Sequence, residues 1–234
     1  MKTTKHIVFL TGAGISAESG IKTFRDQNGL WEKYDINEVA TPEAWNKNPK
    51  LVLDFYNERR LQVIKAQPNQ AHIAIKELEK YFKVSIITQN IDDLHERAGS
   101  TNILHLHGEI LYGRSTGTGK SYKLKNPVLK IGDCCPDGFQ LRPDIVWFNE
   151  PVPKIMDAYE ITSTADVLVI VGTSLNVYPA AGLYEALPKH ASVFLIDPNS
   201  NLSSKIRNVT FIKEKATIGI PIVANKLKEK FGIT

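Results

Sequence analysis

Apolar positions gather in short runs at Ile7–Leu10, Val84–Thr88, Ile103–His107, Ile145–Phe148, Val167–Val171, Val193–Ile196 and Val209–Ile212. Most are nearly continuous instead of alternating, the pattern of strands covered on both faces. Helical patterns lie between many of them, over Pro49–Lys65, Gln70–Phe82, Ile91–Ala98, Lys154–Thr162, Ala180–Leu187 and Pro221–Phe231. Strands separated by helices predict an α/β fold built on a doubly wound parallel sheet. Asn48-Pro49 predicts the start of the first long helix, with Asn as cap and Pro in the first turn. That start places Tyr56 and Arg59, three positions apart, on one helical face.

Residues 111–143 break the rhythm, being rich in Gly, Ser, Thr and Lys. They predict a small inserted lobe, with residues 1–110 and 144–234 forming the main domain. A hydrophobic fraction of 42% with 23% charged residues is that of a globular chain, which sets disorder aside. The net charge of +4 is spread along the chain, densest at Lys226, Lys228 and Lys230, so no nucleic-acid partner is expected. The run Ile7–Leu10 is too short for the core of a signal peptide, and no apolar stretch is long enough to span a bilayer. Cys134 and Cys135 are adjacent, where a disulfide would be strained. Together these features predict a cytoplasmic protein with no membrane partner. The chain is expected to be a monomer.

In open α/β sheets, ligands bind beyond the carboxyl ends of the strands. The residues that follow the predicted strands are Gly12-Ala13-Gly14, Gln89-Asn90-Ile91-Asp92, His107-Gly108-Glu109, Gly172-Thr173-Ser174 and Asp197-Pro198-Asn199. Gly12-Ala13-Gly14-Ile15-Ser16-Ala17 follows the glycine pattern of a dinucleotide loop. The rest of that pattern, an acid about 20 residues on that grips a ribose, is missing. Taken singly, each segment has a plain alternative: Gly172-Thr173-Ser174 as a turn and helix cap, Gln89-Asn90-Ile91-Asp92 as a cap, His105 and His107 as structural histidines. Together they outline one nucleotide-shaped cleft.

In order along nearly the whole chain, these segments resemble those of the sirtuins, NAD-dependent protein lysine deacylases. The resemblance rests on Gly12-Ala13-Gly14-Ile15-Ser16 with Ser19-Gly20-Ile21, on Phe24-Arg25, Gln89-Asn90-Ile91-Asp92, His107-Gly108 and Val146-Trp147-Phe148, and on Gly172-Thr173-Ser174 with Val177, Pro179 and Asn199. It implies a Rossmann-like domain with a small zinc-ribbon module, and NAD consumed as a co-substrate. The segment around Phe24-Arg25-Asp26 would be a mobile loop over the nicotinamide ribose, in place of the helix that a dehydrogenase has there.

The resemblance further implies that Asp92 and the Ile91 backbone hold the nicotinamide carboxamide, that Asn90 orients the ribose and a water, and that His107 is the general base for a ribose hydroxyl. A base with an ordinary pKa near 6.5 suits that task. The acyl group of a modified lysine would pass to ADP-ribose as nicotinamide leaves. Gly12, Ala13, Gly14, Ile15, Ser16, Gln89, Gly172, Thr173 and Ser174 would line the phosphates and ribose, Arg25 would support the loop and a phosphate, and Asn199 and Ala216 would flank the adenosine half. Val146 and Phe148 would line the lysine tunnel, with the adjacent backbone adding to an extended peptide substrate.

Tyr56 and Arg59 resemble the Tyr-x-x-Arg signature of the sirtuin subgroup that removes acidic acyl groups. A phenol and a guanidinium can both donate to a carboxylate, so succinyl and malonyl lysine are the expected substrates, with acetyl lysine possible. Most sirtuins carry two cysteine pairs in the small module. Here Ser115 and glycines stand where the first should be, and adjacent Cys134-Cys135 where the second should be, so no zinc is expected. Packing through Tyr112, Tyr122, Leu124, Val128 and Leu129 would then hold the lobe. The rival readings are an ADP-ribosyltransferase or NAD glycohydrolase on the same scaffold, and a non-catalytic NAD-sensing module.

Overall fold

The computed structural model describes residues 4–23, 34–173, 175, 178–198 and 208–233. Its central sheet holds β1 (His6–Thr11), β2 (Lys83–Thr88), β3 (Ile103–His105), β7 (Val167–Val171), β8 (Ser192–Ile196) and β9 (Val209–Ile212), all parallel, in the order β3-β2-β1-β7-β8-β9. A second sheet of three antiparallel strands holds β4 (Gly108–Ser115), β5 (Ser121–Lys123) and β6 (Leu141–Ile145), with β4 in the middle.

The continuous apolar runs resolve into two cores because successive side chains of a strand point to opposite faces. Ile7 and Phe9 of β1 join Val167, Val169 and Val171 of β7 and Phe194 and Ile196 of β8 on one face. There they meet α4 (Gln70–Leu78) and α7 (Ala216–Phe231). Val8, Leu10, Leu168, Ile170, Val193 and Leu195 face the other way, toward α6 (Ile155–Ser163) and a 3-10 helix at Ala180–Ala186. The sheet is therefore doubly wound, as the pattern predicted.

Several boundaries differ from the pattern. The expected strand Ile145–Phe148 is β6, which lies earlier, at Leu141–Ile145, and tolerates Pro143 because it is an edge strand. Ala180–Ala186 winds as a 3-10 helix instead of an α-helix. α7 begins at Ala216 and so holds Pro221 inside it, where the ring removes one hydrogen bond of the helical ladder. After β2 the chain forms only the short α5 (Leu94–Arg97), and α4 stops at Leu78. Two short helices, α1 (Ile36–Val39) and α2 (Pro42–Lys47), have too few turns to show a period, yet Asp35 and Thr41 cap them.

The long helix α3 (Pro49–Lys65) starts as expected, with the Asn48 side chain accepting from Leu51 N–H at 3.1 Å. It is buried on more than one side. Val52, Phe55, Tyr56 and Val63 join a third core with Ile110, Ile145 and Trp147, while Leu53 packs with Leu129, Cys135 and Leu141 under the small sheet. Asn57 grips the loop before that sheet's far edge. Its Nδ2 donates to Leu129 O at 2.8 Å, and its Oδ1 accepts from Leu129 N–H at 2.9 Å. Arg60, fully buried, donates to the carbonyls of Ile110 and Pro127 and to Asn57 Oδ1. Of the side chains expected to hold the lobe, Leu129, Tyr122 and Leu124 belong to this core, and Tyr112 and Val128 do not.

Candidate active site

The chain runs from β1 outward through β2 to β3, then crosses back to β7 and continues the other way. The loops after β1 and β7 therefore part at a topological switch point, where a crevice opens. Gly12 N–H donates to Val171 O at 3.0 Å and Gly14 N–H to Gly172 O at 2.9 Å, so the two loops hold each other directly. A Cβ on Gly12 would sit 2.7 Å from Gly172 O, one on Gly14 2.6 Å from Gly172 Cα, and one on Gly172 2.4 Å from Ile15 N. Gly172 also has φ +63°, in the left-handed region. These glycines are required first for the loops to touch. The fingerprint helix is replaced by two 3-10 turns, Ala13–Ile15 and Ala17–Ser19, which Asn69 pins by donating to Ile15 O and Ser19 Oγ.

A cleft of about 1050 Å3 lies on this floor. Across it, Asn90 Nδ2 donates to Ser16 Oγ at 3.1 Å, and Ser16 Oγ donates to Asp92 Oδ2 at 3.0 Å. Asp92 also accepts from Leu94 N–H at 3.2 Å. Burial raises the Asp92 pKa, opposed by those two hydrogen bonds and by the charge of His105. Thr88 Oγ1 accepts from Asn90 N–H at 3.0 Å and from Thr11 Oγ1 at 2.8 Å, which ties the Asn90 backbone to β1. Gln89 Nε2 donates to Thr173 Oγ1 at 3.1 Å and bridges the cleft to the β7 loop.

His107 lies in the short link between β3 and β4 and lines the cleft. Its Nδ1 is 3.1 Å from Gln89 O, an acceptor only. Nδ1 must therefore carry the proton, and Nε2 of the neutral ring is a base. Burial lowers the His107 pKa, and the Gln89 carbonyl opposes that shift.

Tyr56 and Arg59, both buried, also line the cleft. Burial brings the Arg59 pKa down to about 10, with Tyr56, Asp92 and Glu58 acting to keep it charged, so it is a cation at neutral pH. Burial pushes the Tyr56 phenol far above its ordinary value and leaves it a neutral donor. Behind them Trp147 lies 6.5 Å from the Tyr56 ring, with the Arg142 guanidinium 3.9 Å over its own ring. Glu150 fixes that stack by accepting from Arg142 Nη2 and from Trp147 N–H, each at 2.9 Å. Val146 N–H donates to His107 O and Phe148 N–H to Ala40 O, so all three N–H groups of Val146–Phe148 are bonded within the chain.

Gly12, Ala13, Gly14, Ser16, Tyr56, Arg59, Gln89, Asn90, Ile91, Asp92, His107, Val146, Phe148, Gly172, Thr173 and Ala216 all line this one cleft. The Ile15 side chain does not; it is fully buried in the core under α4 and α7. Phe24, Arg25, Ser174 and Asn199 lie outside the described residues. Sequence reasoning missed the Arg142–Glu150 clamp on Trp147, since an Arg and a Glu eight positions apart across a strand end carry no local signal.

The Sir2 family profile matches residues 12–179. A Helicobacter pylori protein named NAD-dependent protein deacylase is 53% identical over 225 residues, covering 96% of this chain and 98% of that one. A protein of the same name from Bacteroides thetaiotaomicron is 50% identical over 222 residues, covering 92% and 95%. Among solved structures, a Sir2 homolog–NAD complex superposes with a TM-score of 0.87 at 38% identity, over 97% of this chain and 91% of that one. The fold and the cleft thus define a doubly wound α/β protein with a site at its switch point. The chain belongs to the Sir2 family.

Proposed function

We propose that the protein is an NAD-dependent protein-lysine deacylase that favours acyl groups ending in a carboxylate. One observation carries the reading: His107, held through Nδ1 so that Nε2 is basic, opens onto the same cleft as Asn90, Asp92 and the glycine floor. The cleft suits NAD, since its floor is backbone, its volume holds a dinucleotide, and it places an amide beside a carboxylate. When bound, NAD supplies an electrophilic ribose carbon with nicotinamide as leaving group.

The residues have distinct tasks in this reading. Gly12, Ala13, Gly14, Ser16, Gln89, Gly172 and Thr173 line the phosphates and ribose, with Ala216 at the adenosine end; Phe24, Arg25, Ser174 and Asn199 are assigned beside them from sequence alone. Asp92, with Ile91, orients the carboxamide, and Asn90 orients the ribose. His107 Nε2 takes a proton from a ribose hydroxyl. Val146 and Phe148 flank the acyl-lysine, and a peptide added along this segment bonds to its carbonyls because its N–H groups are taken.

The acyl preference rests on Arg59 and Tyr56. A buried cation beside a neutral phenol gains most from a ligand carboxylate, which pairs with the guanidinium in matched geometry. The small sheet works without zinc in this reading, held by Asn57, Arg60 and the core around Leu129, with Cys135 Sγ donating to Ser115 Oγ at 3.4 Å. We assign the protein to the cytoplasm as a monomer; no helix among the described residues is long and apolar enough to cross a membrane.

The test compares NAD-dependent deacylation of matched succinyl-lysine and acetyl-lysine peptides by the wild type, His107→Ala and Arg59→Met. Succinyl turnover that dominates, disappears in the first variant and falls selectively in the second bears the reading out. Nicotinamide release with neither peptide deacylated sinks it in favour of an NAD glycohydrolase or transferase.

A further inference from the structure

Behind Asn90 lies a pair that the reaction as described does not use. His105, buried at the end of β3, has both ring nitrogens against acceptors: Nδ1 is 3.2 Å from Asn90 O and Nε2 is 2.7 Å from Glu96 Oε1. A carbonyl oxygen and a carboxylate only accept. A neutral imidazole has one N–H, so it can satisfy one of them and must turn a lone pair on the other; the imidazolium satisfies both.

The surroundings favour that cation. Glu96 from α5 and Glu109 from β4 both face His105, and the three groups bring an atom each within 4.8 Å of one another. Asp92 and His95 also interact electrostatically with it, the first buried with a raised pKa and the second held neutral by burial. Burial of His105 opposes its charge, yet the hydrogen bond and charge of Glu96, with Glu109 and the Asn90 carbonyl, raise its pKa.

The contact reaches the cleft through one residue. Asn90 is held at its N–H by Thr88 and at its carbonyl by His105, and its side chain passes the constraint to Ser16 and on to Asp92. Resting on the deacylase reading above, we propose that Glu96 and His105 are positioning residues. The doubly donating ring clamps the Asn90 carbonyl, sets the Asn90 amide and the Asp92 carboxylate in the cleft, and releases them when it loses its proton.

The experiment records deacylation and NAD affinity from about pH 6 to pH 10 for the wild type, Glu96→Gln and His105→Leu, with thermal melts alongside. In Glu96→Gln the new amide donates to Nε2, so the neutral ring keeps its Nδ1 proton on Asn90 at every pH. That variant is expected to retain neutral-pH kcat and to lose an alkaline fall seen in the wild type. His105→Leu removes a charge-assisted hydrogen bond and is expected to lower kcat about tenfold at neutral pH. Superimposable pH profiles for wild type and Glu96→Gln overturn the proposal. So does a His105→Leu enzyme that melts earlier but keeps its kcat. If the wild type deacylates no peptide, the deacylase reading fails, and NAD affinity then decides: an alkaline loss present in the wild type and absent in Glu96→Gln supports the clamp, and its absence from both overturns it.

Discussion

His107 Nδ1 donates to the backbone carbonyl of Gln89 at 3.1 Å, so the neighbour of Asn90 fixes which nitrogen of the ring is the base. The active form is then the neutral ring, and activity falls as pH drops through the His107 pKa. Burial sets that value below the ordinary 6.5. The acid limb of kcat/KM for deacylation should therefore have its midpoint below 6.5; a midpoint above it would place another group in control.

Asn57 closes two hydrogen bonds on the backbone of Leu129 and accepts a third from Arg60. Asn57→Ala leaves a buried carbonyl, an N–H and part of a guanidinium unpaired, which costs about 2 to 4 kcal/mol. Urea denaturation should show a loss of that size. A change within experimental error would mean that water replaces the side chain.

Gly172→Ala should damage both stability and cofactor binding. The new methyl falls 2.4 Å from Ile15 N at a residue with φ +63°. Backbone strain alone at such a position costs about 1 to 3 kcal/mol. A lower melting temperature together with weaker NAD binding is the expected pair, and an unchanged melt would mean that the two loops move apart freely.

Acid should weaken the fold through His72, which is fully buried and has its pKa lowered by burial to about 4. The folded value lies below the unfolded 6.5, so the stability tied to the neutral ring is fully present above 6.5 and drains away as pH falls toward 4. The full shift is worth about 3 kcal/mol. His95, whose ring meets it edge to face with centroids 4.9 Å apart and which is also kept neutral by burial, adds to the same slope. Denaturant titrations between these pH values should show His72→Gln losing less stability than the wild type; equal slopes would exclude His72.

What the sequence made legible follows from what is local. Continuous apolar runs such as Val167–Val171 signal a doubly covered strand because both faces need apolar residues. The glycine, amide and histidine segments declared a cleft because each follows a strand end. The ends of elements blurred where tertiary contacts override local preference, as at Val146–Phe148, whose three N–H groups go to His107, Glu150 and Ala40 instead of a sheet neighbour. Buried polar residues were the least legible. Arg59 and Arg60 are adjacent and identical, yet the helical turn sends one to the cleft and the other to the carbonyls of Ile110 and Pro127. Only the surroundings tell them apart.

The interlocked glycines bear on redesign. Because Gly12, Gly14 and Gly172 leave no space between the two loops, none of these three floor positions can take a side chain to alter cofactor choice. Variation in what the protein accepts has to come from the walls, where Gln89, Thr173 and Ala216 present side chains. A library directed at the three glycines would sample misfolded chains, while one directed at the walls would sample new specificities.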